Sequence, residues 1–170
     1  MQYAPEDPKE DERLQAIKRL GLLDGSKSDS KFDELTKGAI EKLDVPMSTL
    51  TVLDKNREYY KSCQGLDAEY GDRAISFCGH ALVADGLFII PDCRKDERFA
   101  DNPMVIGKPY VRFYAGMALF DYATKIPVAV FCVKDTKPRK FSVKELDIFL
   151  SLAARAEELL NNVSETGLTK

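Results

Sequence analysis

From Val128 to Val133 the chain reads Val-Ala-Val-Phe-Cys-Val, six residues in succession without a polar side chain. The segment is rich in β-branched and aromatic types and reads as a strand that begins at Ile126. Successive strand side chains point to opposite faces, so a strand apolar on both must be covered on both. The chain must therefore stack layers on each side of a sheet that has this strand near its centre.

The rest of the sequence supplies those layers. Leu14, Ile17, Leu20 and Leu23 recur at helical spacing after an acidic first turn, and Asp24-Gly25 reads as the stop. A polar linker, 28–30, follows. Ser30 with Asp33 approximates a capping box ahead of Phe32, Leu35, Ala39, Ile40 and Leu43 on one face, and this second helix ends before Pro46. The period then changes to two. Met47 to Leu53 and Glu58 to Cys63 alternate around a turn at Asp54 to Arg57, which predicts a hairpin. Ser76 caps a short helix through Ala84, and Asp85-Gly86 turns the chain into a strand, Leu87 to Ile90, closed by Pro91. Asp92 to Pro109 is charged, carries Pro103 and Pro109, and reads as a long excursion with one helical turn; long ordered excursions tend to serve function. A strand from Arg112 to Leu119 precedes the apolar one.

The last helix has the sharpest local signature. Ser142 and Glu145 form a capping box, with Phe141 and Leu146 at the positions of a hydrophobic staple. Leu146, Phe149, Leu150, Ala153 and Leu160 make one apolar stripe, and Ile148, Leu152 and Leu159 lie on another. One stripe packs on the sheet. The other needs helix one or the same helix of a second copy, so Ile148, Leu152 and Leu159 are expected at a homodimer interface.

A chain of 170 residues, 44% of them hydrophobic, can bury about 70% of its unfolded surface in one core. The net charge of -3 leaves no basic patch for nucleic acid, and no apolar run approaches the roughly 20 residues of a membrane span. The first twelve residues resemble no signal or transit peptide, so a cytoplasmic location is expected. Residues 1–11 are expected as a flexible lead-in, 12–160 as the domain and 161–170 as a polar tail. Cys63, Cys78, Cys93 and Cys132 form no CxxC pair and read as reduced thiols, mostly buried.

Four ordered blocks carry a resemblance: 12–24 (ERLQAIKRLGLLD), 76–82 (SFCGHAL), 90–103 (IPDCRKDERFADNP) and 112–119 (RFYAGMAL). They resemble the GAF domains found ahead of bacterial histidine kinases and diguanylate cyclases, and the resemblance spans most of the chain. It implies an α+β fold with a central antiparallel sheet of five to six strands, terminal helices on one face, and a loop-rich roof over a pocket on the other. It places Phe77, Cys78, His80, Asp92, Arg94, Phe99, Arg112, Tyr114 and Cys132 around that pocket. It also implies an unidentified small-molecule ligand, a signalling role without catalysis or cofactor, and an output domain or partner kinase or cyclase.

Competing readings of these residues stay open. Cys78 and His80 stand two apart, and on a helix such residues diverge, which disfavours a nucleophile–base pair. Cys78, His80, Cys93 and Cys132 have zinc-compatible types without zinc-site spacing. Relatives that hold a bilin place histidine directly after the cysteine, whereas Gly79 intervenes here. Of the pattern in cyclic-nucleotide-binding relatives only Lys134, Phe141 and Glu145 conform. Asp92 or Asp96 can pair with Arg112 to pin the loop as readily as any of them can meet a ligand, and Phe99 can be the loop's apolar plug. Two further functions remain: a cysteine-dependent reductase like those acting on free methionine sulfoxide, and a dimerisation scaffold with an empty pocket.

Overall fold

A computed structural model describes residues 1–24 and 30–168, and the side chains only as far as residue 162. The elements run α1 (Glu10–Arg19), α2 (Ser30–Leu43), β1 (Met47–Leu53), β2 (Arg57–Gln64), β3 (Tyr70–Asp72), α3 (Phe77–Val83), β4 (Leu87–Ile90), α4 (Pro103–Ile106), β5 (Phe113–Phe120), β6 (Pro127–Asp135) and α5 (Val143–Leu168). The six strands form one sheet in the order β3-β2-β1-β6-β5-β4, antiparallel throughout. β6 is central, as its apolar run requires.

Each sheet face carries its own core. Leu50, Val52, Phe113, Ala115, Phe131 and Val133 face the helices, where they meet Ile17, Phe32, Leu43, Phe149, Ala153 and Leu160. On the other face Leu53, Val130, Cys132 and Tyr114 meet Phe77, Cys78 and Leu82 of α3 and Phe99, Val105 and Val111 of the excursion. This is the α+β arrangement expected.

Local signals held where they were complete. Ser142 Oγ accepts from the Glu145 amide at 3.1 Å while Glu145 Oε1 accepts from the Ser142 amide at 3.0 Å, closing the capping box. Ser76 Oγ accepts from the Gly79 amide at 2.9 Å and starts α3. Asn102 caps α4 ahead of Pro103, so the excursion holds this turn as well as a 3-10 turn at Cys93–Lys95, two where one is expected.

Several boundaries shift. α1 stops at Arg19, short of Leu23, because Gly21 takes φ +66 and breaks the helix before Asp24; Gly25 and most of the linker 28–30 lie outside the described residues. β1 is buried at all seven positions instead of alternating, since helices cover one face and α3 the other. The short edge strand β3 has no sequence period to announce it. The lead-in 1–11 is tied down: the amides of Gln2 and Ala4 donate to the carbonyls of Arg98 and Ala74, each at 2.9 Å, and α1 begins at Glu10. The expected tail is helical too, since α5 runs on to Leu168 and Asn161 Nδ2 donates to the Phe120 carbonyl at 3.0 Å.

The second apolar stripe of α5 finds its cover within the chain. Leu152 is 8% and Leu159 6% exposed in the helix-side core, and Ile148 packs against that core half-buried. Leu152 reaches to within 3.8 Å of where a Cβ on Gly38 would stand, so α2 packs against this part of the stripe. Beyond Val143, which is exposed in its first turn, the positions α5 leaves exposed are polar or small: Lys144, Asp147, Ser151, Ala154, Arg155, Glu158 and Asn162. Among the described residues no helix is long and apolar enough to cross a membrane.

Candidate functional site

The lid face of the sheet is where apolar packing gives way to chemistry. Because strand side chains alternate, β1 sends Thr49, Thr51 and Leu53 to this face and β6 sends Val130, Cys132 and Lys134. Register aligns them: Thr49 lies opposite Cys132, and Lys134 lies between Met47 on β1 and Tyr114 on β5. β2 adds Glu58, opposite Leu53, and Tyr60, opposite Thr51. The result is a buried polar floor beneath α3.

Its hydrogen bonds are well defined. Tyr60 donates to Glu58 Oε1 at 2.6 Å, and Ser76 donates to Glu58 Oε2. Thr49 and Thr51 share a bond at 2.7 Å, and Thr49 Oγ1 lies 3.0 Å from Cys132 Sγ. Tyr114 donates to Cys78 Sγ at 3.2 Å. Glu58 and Lys134 are 1% and 2% exposed. Burial presses the Lys134 ammonium toward neutrality, but the charges of Cys132 and Glu58 hold its pKa above the ordinary lysine value.

The lid over this floor is aromatic. Phe77 stacks on Phe99 with centroids 4.5 Å apart and on Tyr114 at 5.3 Å. His80 turns the other way: its Nε2 meets the Gln2 carbonyl at 3.1 Å and its ring meets the edge of Phe99. Cys78 and His80 therefore face different partners. A Cβ added to Gly79 would stand 2.6 Å from that of Ala4, which shows how closely the N-terminal strap lies over α3.

The nine residues expected around one pocket divide into two groups. Phe77, Cys78, Phe99, Tyr114 and Cys132 meet in the lid-side core, all fully buried, with His80 at its edge. The others do not join them. Asp92 pairs with Arg94 at 3.1 Å, Arg94 is 53% exposed, and Asp92 lines an outer groove of about 830 Å³ with Pro91, Arg98 and Arg139. Asp96 pairs with Arg98 at 2.7 Å. Neither aspartate reaches Arg112, whose Nη1 instead donates to the Val105 carbonyl at 2.8 Å and so ties α4 to the start of β5. The expected loop-pinning pair is thus replaced by two short-range pairs in which each carboxylate takes the arginine two residues on. Phe99 is the plug expected of it.

Sequence reasoning missed Glu58, Tyr60, Thr49 and Thr51. Thr49 and Thr51 were signalled as polar residues two apart on β1, whose other face carries Leu50 and Val52; β2 is polar on both faces, and nothing in its pattern singles out Glu58 or Tyr60. Of the three residues conforming to the cyclic-nucleotide pattern, Lys134 alone faces the floor; Phe141 packs on Phe113 and Glu145 caps α5. Among the described residues no cluster of three or more His, Cys, Asp or Glu is placed to hold a metal ion.

No family model matches the sequence. Among solved structures, the GAF domain of a phosphoenolpyruvate-protein phosphotransferase from Coxiella burnetii superposes with a TM-score of 0.67 at 10% identity, covering 92% of this chain and 96% of that one. The chain has the GAF fold. A free methionine-R-sulfoxide reductase from Neisseria meningitidis shares this GAF fold with a TM-score of 0.64 at 13% identity, over 98% of both chains. In sequence, a cyclic di-GMP phosphodiesterase of Pseudomonas aeruginosa is 36% identical over 135 residues. That match takes in 79% of this chain and 22% of the relative, so this chain spans about a fifth of that protein's length. The polar floor, the short lid helix and the excursion from Asp92 stand on the sheet face opposite the terminal helices of the GAF fold.

Proposed function

We propose that this chain is a sensory GAF domain that binds a small polar molecule between the α3 lid and the sheet, without catalysis of its own. The observation that carries this reading is the buried pair of opposite charges, Glu58 and Lys134, lying on one sheet face beneath the lid. Charge is buried only where polar groups compensate it, and a floor that carries Glu58, Lys134 and several hydroxyls suits a ligand with a charged or strongly polar group. The lid side chains pack on one another, so the ligand would select a state in which α3 and the loop carrying Phe99 have lifted. Tightening or lifting that lid shifts the central strands, and through them α1 and α5. The output module is then a separate domain or a partner kinase or cyclase in the cytoplasm, as the small share of the phosphodiesterase relative that the chain matches suggests.

Native mass spectrometry of the protein purified from cell extract, followed by a thermal-shift panel of small metabolites, tests the proposal. The expected outcome is a retained or stabilising molecule whose effect disappears in Lys134→Met. A panel with no stabilising member, together with no retained mass, would sink it.

A second reading is favoured by the thiols Cys78 and Cys132 on the same floor and by the fold shared with the sulfoxide reductase. On that reading the chain turns over free methionine sulfoxide with a dithiol reductant, and replacing all four cysteines with alanine abolishes turnover. Sensing by Lys134 and Glu58 survives that replacement.

A further inference from the structure

Two thiols meet beneath the lid in a way the small-molecule reading does not use. Cys78 lies on α3 and Cys132 in the middle of β6; both are fully buried in the same lid-side core. Hydroxyls frame them. Tyr114 donates to Cys78 Sγ at 3.2 Å, and Cys78 in turn lies 3.7 Å from Thr51 Oγ1. Thr51 Oγ1 is 2.7 Å from Thr49 Oγ1, which is 3.0 Å from Cys132 Sγ. One connected chain of contacts thus joins the lid helix to the central strand through its two sulfurs.

The surroundings make the two thiols unequal. The titratable groups facing Cys132 are Lys134 on its own strand, Glu58, Tyr60 and Cys63 from β2, Cys78 from α3 and Tyr114 from β5. Burial pushes the Cys132 thiol up, but the Cys78 hydrogen bond, the Lys134 charge and the Thr49 hydrogen bond outweigh it and bring it to about 7. Cys78 is pushed the other way by burial and by Cys132. A thiolate-prone sulfur next to a protonated one is the arrangement of an attacking and a resolving cysteine. The other two lack it. Burial and the nearby Asp92 and Asp96 push Cys93 up to about 12, and the Cys63 thiol donates to the Leu66 carbonyl at 3.4 Å.

We infer that Cys78 and Cys132 form a reversible dithiol–disulfide pair, oxidised by a hydroperoxide, that bolts the lid helix to the centre of the sheet. The Cys132 thiolate attacks one oxygen of hydrogen peroxide: an S–O bond forms, the O–O bond breaks, and the departing hydroxide takes a proton from solvent to become water. Cys78 then attacks the Cys132 sulfenic sulfur. An S–S bond forms, the S–O bond breaks, and the departing hydroxide takes the Cys78 proton as a second water. The two sulfurs are oxidised, one peroxide becomes two waters, and a dithiol reductant reverses the bond.

Since both sulfurs are shielded, peroxide reaches them only when α3 lifts. That helix has seven residues, and the strap holds it through Gln2 to His80 and Ala4 to Ala74. Oxidation is therefore paced by lid opening, and the disulfide, once made, holds the lid shut.

The test uses the full chain, reduced and then exposed to hydrogen peroxide under native conditions. It is alkylated in denaturant and peptide-mapped, with hydrogen exchange of the α3 amides in the same buffer timing lid opening. The expected product is a peptide pair linked through Cys78 and Cys132, two hydrogens lighter than the separate thiols and lost on treatment with dithiothreitol. In Cys78→Ala, a dimedone adduct should appear on Cys132; in Cys132→Ala, Cys78 should stay reduced. Below a pH of about 7 the rate should fall about tenfold per unit, following the thiolate. Recovery of both cysteines as alkylated thiols after the α3 amides have exchanged overturns the inference. So does a disulfide that instead uses Cys63 or Cys93. Ligand binding by Lys134 and Glu58 is read separately, in the reduced protein, so neither result stands in for the other.

Discussion

Phe77, on the lid helix, lies face to face with Phe99, on the loop that follows β4, the ring centroids 4.5 Å apart and the planes 8° from parallel. Both rings are fully buried, and Phe99 also meets His80 edge-on at 4.7 Å. One aromatic stack therefore couples the lid helix and the Phe99 loop into one unit.

Removing that coupling should be costly. Phe99→Ala deletes a fully enclosed ring and leaves a cavity between lid and loop, for a loss of about 3–5 kcal/mol in a denaturant titration. Phe99→Leu, which refills most of the volume, should recover the larger part. Equal losses for the two would mean that the ring's volume is not what holds the roof.

The N-terminal helix is anchored by charge. Glu10 accepts from Arg13 at 2.7 and 2.8 Å and pairs with Arg73, whose Nη1 also donates to the Asp54 carbonyl at 3.1 Å. Burial raises its carboxyl, but the hydrogen bonds and charges of Arg13 and Arg73 outweigh burial and bring it from 4.5 to about 2. A depressed carboxylate stabilises the fold above its unfolded pKa and loses that contribution as pH falls from about 4.5 toward 2. The amount is on the order of 3 kcal/mol at neutral pH. Glu10→Gln should therefore be less stable than the parent at neutral pH, and the gap should close on acidification. A gap independent of pH would refute the assignment.

His80 gives a second, milder pH dependence. Burial lowers its pKa from 6.5, opposed by the Gln2 carbonyl and reinforced by the Arg98 charge. The neutral ring is the one that fits, so its contribution is present above about 6.5 and lost as pH falls through the lower folded value. The amide of Ala4 should exchange faster at mildly acidic pH than intrinsic exchange chemistry alone gives, and His80→Gln should remove the excess.

The start of α5 rests on the reciprocal bonds of Ser142 and Glu145. Ser142→Ala should cost about 1 kcal/mol in chemical denaturation. A change below a few tenths would mean that solvent replaces the cap without loss.

What could be read from sequence was what is decided within a turn or two of chain. The Ser142–Glu145 capping box, the Ser76 cap and the apolar run of β6 depend on neighbours a few residues away, and they stand where their patterns put them; the box expected of Ser30 and Asp33 does not, since Ser30 is already within α2 and Asp33 accepts from Ser62. Tertiary choices were less legible. Whether α2 or a second molecule covers Leu152 depends on how two helices cross, which no stripe on one helix specifies. Asp92 and Asp96 had two arginines in reach of each other's loop, and short-range geometry favoured Arg94 and Arg98 over Arg112. Lys134 follows six apolar residues on β6 and looked like the strand's end; only the register beside Tyr114 places it under the lid.

The sheet order has a consequence for how the molecule is made. β1 and β6 are neighbours, with Ser48 opposite Val133, so the middle of the sheet joins segments from opposite ends of the domain. During synthesis β1 and β2 leave the ribosome long before β6, and until it arrives the inner edge of β1 stays open. Contacts this distant in sequence slow folding, and an open inner edge is a surface on which nascent chains can pair wrongly. A helper that shields β1 until residue 135 has emerged would guard that edge against wrong pairing.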